Sequence, residues 1–96
     1  MILGKVVGTV VSNTNLIGIR GAGFLLIEKC NQAGEGQNDF VVALDLVGAG
    51  KDEMVVVSEG STARETPLTV GKPLDAIVVG IVDTIDENNK VVYQKW

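Results

Sequence analysis

The residues of this chain that could do chemistry sit at two glycine-punctuated corners. A-L-D-L-V-G-A-G occupies 43–50, followed by Lys51, Asp52 and Glu53, and G-S-T-A-R occupies 60–64. Each corner sets small residues beside one ion, Asp45 in the first and Arg64 in the second. General acid–base catalysis near neutral pH usually calls on histidine, and the chain has none. G-A-G-K-D (48–52) lacks the Ser/Thr and the spacing of a phosphate loop. G-S-T-A-R is not G-x-S-x-G, and no base is available to its serine. The carboxylate pairs Asp83/Asp86 and Asp52/Glu53 read most simply as solvated strand ends. The single cysteine, Cys30, cannot build a zinc cluster and reads as an inert small residue at a strand end. The glycines and acid of Asn31–Asp39 do not follow calcium-loop spacing. No enzyme, cofactor or metal site is therefore expected. Small residues permit close backbone approach, so the two corners are read as a subunit interface.

The elements that must position these corners are strands. Residues 2–12 alternate with period two, which puts Gly4 and Gly8 on one face of a strand that bends at its glycines. Residues 12–23 read as a loop and 24–30 as the second strand. Residues 31–39 are a polar, flexible connection. The third strand spans 40–47 and the fourth 53–58. Ser61 is a candidate N-cap for one helical turn over 60–65. Pro67 and Pro73 bracket an irregular stretch. Residues 74–85 are almost continuously apolar and read as one strand covered on both faces. D-E-N-N-K (86–90) signals a hairpin, because Asn tolerates the left-handed region that tight turns need, and 91–96 pairs back. The expected fold is all-β: a small five-stranded, partly open barrel of the OB type, with one short helical turn and a C-terminal β-hairpin.

Ninety-six residues make one domain, 1–96, burying about 60–65% of the unfolded surface. Only four residues are aromatic, so Val, Ile and Leu must fill the core. Twelve acids against eight bases give a net charge of −4, with no basic patch. That balance argues against nucleic acid or an anionic membrane as partner. A small OB-like domain binding a single-stranded nucleic acid or another ligand remains the alternative reading. The longest apolar run is far short of the ~20 residues a membrane span needs. The N-terminus enters the alternating pattern directly and predicts no signal peptide. One cysteine suits a reducing compartment, and a soluble, cytoplasmic protein is expected.

Four motifs in order, G-K-V-V-G-T-V-V-S (4–12), A-L-D-L-V-G-A-G (43–50), G-S-T-A-R (60–64) and P-L-D-A-I-V-V-G-I-V-D (73–83), resemble the EutN/CcmL family of bacterial microcompartment vertex proteins. Thr62 stands where the family often has a second serine, and Lys51-Asp52 where it often has a further glycine. The resemblance implies an OB-like barrel assembling as a cyclic homopentamer. The ring would cap the fivefold vertices of a shell whose facets are hexameric and pseudohexameric tiles, with a structural role and a narrow central pore. A ring needs a heterologous contact. Gly48, Ala49, Gly50, Gly60, Ser61 and Ala63 would let backbones approach there. Arg64 would reach a carboxylate across the contact, with Asp45, Asp75 and Glu59 as candidate partners. Asp45 has a second reading, capping the adjacent glycine turn of its own subunit. Like charges near a fivefold axis repel, so hydroxyl residues are expected there, with Ser61 and Thr62 as candidates for the pore lining. Trp96 either packs under the barrel or docks on a neighbour.

Overall fold

The computed structural model describes residues 1–11, 23–60 and 76–96. The strands are β1 (Ile2–Val10), β2 (Gly23–Cys30), β3 (Gly36–Asp45), β4 (Met54–Glu59), β5 (Ala76–Ile81), β6 (Thr84–Glu87) and β7 (Lys90–Gln94). The first five close into a barrel in the order β1-β2-β3-β5-β4, and β6 and β7 form a separate hairpin. This is OB strand order, but the barrel is closed where a partly open one was expected. Closure comes from β1 pairing with β4 over Ile2–Lys5 and from a parallel contact of β3 with β5 at Leu44–Ile77 and Asp45–Val78. The helical turn expected over 60–65 lies outside the described residues apart from Gly60.

The interior is aliphatic, as the scarcity of aromatics requires. Val6, Leu25, Ile27, Ala43, Val55, Val57, Ala76 and Val78 form the buried cluster. Gly4 faces this interior between Lys29 of β2 and Val55 of β4, and a Cβ there would run into the Ile27 side chain. Gly8 does not share that face, contrary to the alternation expected across 2–12. The β1–β2 register shifts between Val6 and Gly8. A bulge adds one residue to one strand and so reverses which side chains point inward. Gly8 is left opposite Leu26 on the outer face, with nothing within 4 Å of an added Cβ.

Two further expectations change. Residues 74–85 are not one strand: after Ile81, Val82 still donates to the Met54 carbonyl at 2.8 Å, and Thr84 then begins β6 in a different sheet. The polar connection is shorter than 31–39 and ordered by one side chain. Asn31 Oδ1 accepts from the Ala33 and Glu35 amides, each at 3.0 Å, and its Nδ2 donates to Glu35. Gly34 takes φ 82° within that turn, and β3 begins at Gly36.

The hairpin follows the sequence signal. Asn88 and Asn89 both adopt left-handed φ, 54° and 65°, as a two-residue type I′ turn requires. The hairpin is docked on the barrel. Gly34 lies within contact of both the Tyr93 ring and Met54. Gln32 donates to the Glu87 carboxylate, and the Lys95 amide to the Asp83 carbonyl. Trp96 is 75% exposed, so it does not pack under the barrel.

Candidate subunit interface

The first corner is built by its own side chains. Asp45 ends β3, and its carboxylate collects the next free amides: Oδ1 accepts from Val47 and Gly48 at 3.0 Å, and Oδ2 from Ala49 at 3.1 Å. Of the two readings of Asp45, the structure realises the internal cap. Gly48 takes φ 74°, the left-handed region that glycine occupies without steric cost. Ala49 is half-buried and packs against the barrel cluster, so its small size answers an internal need as well. The turn then closes on β1, with the Asp52 amide donating to the Val6 carbonyl and the Val6 amide to the Glu53 carbonyl. Val47, Gly48, Gly50, Lys51 and Asp52 stay exposed on its outside.

Glu53 ties this corner to the C-terminal tail. One carboxylate oxygen accepts from the Gly50 amide, and the other lies 2.8 Å from Lys95 Nζ. The Lys95 hydrogen bond, and then the Gly50 amide, hold the Glu53 carboxyl below its ordinary range. Glu53 in turn raises the Lys95 ammonium above its own.

The second corner is described only at its start. Gly60 is exposed with φ 70° and open space where a Cβ would stand. Ser61, Thr62, Ala63, Arg64 and Asp75 lie outside the described residues. Glu59 already has a partner in its own chain: Lys29 Nζ stands 3.7 Å from both its carboxylate and that of Asp39, tying β2, β3 and β4 together. Cys30 ends β2, where burial and then the neighbouring Glu28 carboxylate push its thiol up, away from the reactive thiolate. No cluster of His, Cys, Asp or Glu able to hold a metal occurs among the described residues.

One surface feature escaped the sequence reading. On the outer face of β1, β2 and β3, register pairs Val10 with Phe24, Gly8 with Leu26, Leu26 with Val42, and Glu28 with Phe40. Phe40 and Val42 are 49% and 47% exposed. The signal was present, since F-V-V-A-L (40–44) is apolar at every position, whereas a strand with a solvated outer face alternates.

Over residues 1–83 the chain matches the family model described as ethanolamine utilisation protein EutN/carboxysome. It is 41% identical over 95 residues to the carboxysome shell vertex protein CcmL of Synechococcus elongatus, covering 99% of this chain and 96% of the relative. The solved structure of Gloeobacter violaceus CcmL superposes with a TM-score of 0.92 at 42% identity, covering 99% of this chain and 98% of that one. The GrpN pentameric microcompartment shell protein from Rhodospirillum rubrum superposes with a TM-score of 0.79 at 40% identity, covering 93% of this chain and all of that one.

Proposed function

This chain belongs to the EutN/CcmL family, and on that premise we propose that five copies close into a ring capping a fivefold vertex of a bacterial microcompartment shell. The observation that carries the reading is full-length agreement in fold, at about 40% identity, with a shell protein whose structure is titled pentameric. The family's role is structural, and its members are named as shell vertex proteins rather than enzymes.

In this reading residues 1–96 act as one unit. The corner at Gly48, Ala49 and Gly50, capped by Asp45, and the start of the second corner at Gly60 stand at the contact between copies. Ser61, Ala63 and Arg64 complete that contact, and Ser61 and Thr62 line the fivefold axis. With Asp45 and Glu59 both engaged in their own chain, Asp75 and neighbouring backbone carbonyls are the partners left to Arg64 among those considered. The ring's outer partners are the hexameric and pseudohexameric tiles of the shell, which lies in the bacterial cytoplasm.

The test is native mass spectrometry of the purified chain, with electron microscopy of shells assembled with and without it. A mass five times that of one chain, with vertices open in its absence, supports the reading. A persistent monomer, or shells closed equally well without it, refutes it.

A further inference from the structure

The geometry points to the outer face of β1, β2 and β3 as the seat of the neighbouring copy of this chain, so that the ring contact extends from the glycine corners across this sheet. The inference rests on the proposed ring and names a surface that the corner argument did not reach. A ring contact joins two different surfaces of the same chain. Each copy must therefore offer a receiving face as well as a corner.

The face has the anatomy of an interface. Its centre is apolar, formed by Phe24, Leu26, Phe40 and Val42, and it holds two of the chain's four aromatic residues. Charge stays at its margin, where Lys5 stands opposite Glu28, and Glu28 is occupied in accepting from the Asn38 amide at 3.0 Å. An apolar, aromatic centre with charge kept to the rim distinguishes the buried part of protein contacts from ordinary surface. Gly8 adds relief. Opposite Leu26 it leaves open space where any other residue would place a side chain, so the face carries a notch beside two apolar ridges.

The occupant is a second copy rather than a nucleic acid. OB barrels that take up oligonucleotides do so on this same face, across strands 2 and 3. That use needs a positively charged groove with aromatic stacking platforms. Here the face pairs its lysine with a glutamate, and the chain carries −4 overall. The relatives that share the barrel at about 40% identity include one titled as a pentamer, which supplies an apolar partner of matching shape.

The test compares the wild type with Val42→Asp and Gly8→Val by native mass spectrometry and far-ultraviolet circular dichroism. A fluorescein-labelled oligothymidylate is titrated against all three. Gly8→Val fills the notch without a clash inside the subunit, so it keeps the test decisive should Val42→Asp fail to fold. The expected result is a five-chain wild type, single-chain variants with unchanged strand spectra, and no oligonucleotide binding by any of them. Variants that remain five-chain beside a five-chain wild type overturn the placement of the contact and leave the proposed ring intact. A wild type that stays single-chain overturns the ring itself. Oligonucleotide binding that Val42→Asp abolishes overturns the choice of occupant.

Discussion

Two glycines four positions apart in β1 do opposite work, and substitution separates them. Gly4→Ala forces a methyl against Ile27 inside the barrel, where overpacking costs about 1–3 kcal/mol. Gly8→Ala meets nothing and removes backbone freedom from the unfolded chain, so it is neutral or stabilising by up to about 1 kcal/mol. Urea unfolding at fixed protein concentration reads both, and equal midpoints would refute the bulge-reversed register. Asp45 gives a second test at this scale. Asp45→Ala strips the acceptor from the amides of Val47, Gly48 and Ala49 and is expected to cost about 1–2 kcal/mol. Asp45→Asn, which keeps one acceptor oxygen, recovers part of that loss. A side chain whose only role lay across a subunit contact would leave the unfolding midpoint of an isolated subunit unmoved. The sequence left Asp45 open between cap and cross-subunit partner because both uses ask for the same carboxylate beside the same small residues.

At the scale of elements, the hairpin is the part most sensitive to pH. Glu53 has a lowered carboxyl, so its hold on Lys95 is fully present above the ordinary carboxylate range and is lost as pH falls through its depressed value. Lys95 has a raised ammonium, so its side of the pair is fully present below the ordinary lysine range and is lost as pH rises through its elevated value. Between those limits the tail is latched to the corner. The Lys95 amide, bonded to the Asp83 carbonyl, reports the latch. Its exchange, corrected for the intrinsic rate, is expected to be slowest near neutral pH and faster at about pH 3. Glu53→Gln should show the faster rate at every pH. A variant as well protected as wild type would mean that the hairpin docks through Tyr93 and Gln32 alone. Much of this architecture was legible beforehand. Asn88-Asn89 announced the hairpin because only a few residues accept left-handed φ, and the Val-rich runs announced the strands. The end of β5 was hidden: an apolar run from Ala76 to Val82 has the same composition whether or not the chain then leaves the barrel. The bulge was hidden too, since a register shift belongs to a pair of strands and neither strand's sequence carries it.

For the whole molecule, net charge and apolar contact pull in opposite directions. Five copies multiply the −4 of one chain, and that repulsion weakens as salt screens it, over about 8–10 Å at physiological ionic strength. A contact made of Phe24, Leu26, Phe40 and Val42 has no such dependence. The ring is therefore expected to dissociate at higher protein concentration in about 10 mM salt than in about 150 mM, where the Debye length shrinks from about 30 to about 8 Å. Analytical ultracentrifugation across that range measures it. Tighter association at low salt would mean that ion pairs, with Arg64 foremost, dominate the contact.

The filled barrel bears on permeability. Val6, Leu25, Ile27, Val55 and Val57 occupy its axis, and Ala49 packs against them. Interiors packed in this way hold few voids larger than a water molecule. Each subunit is thus a stopper rather than a tube, and whatever crosses a shell at its corners travels between copies. Leakiness there becomes a property of fit between neighbours, open to adjustment at the contact without disturbing the fold of any one chain.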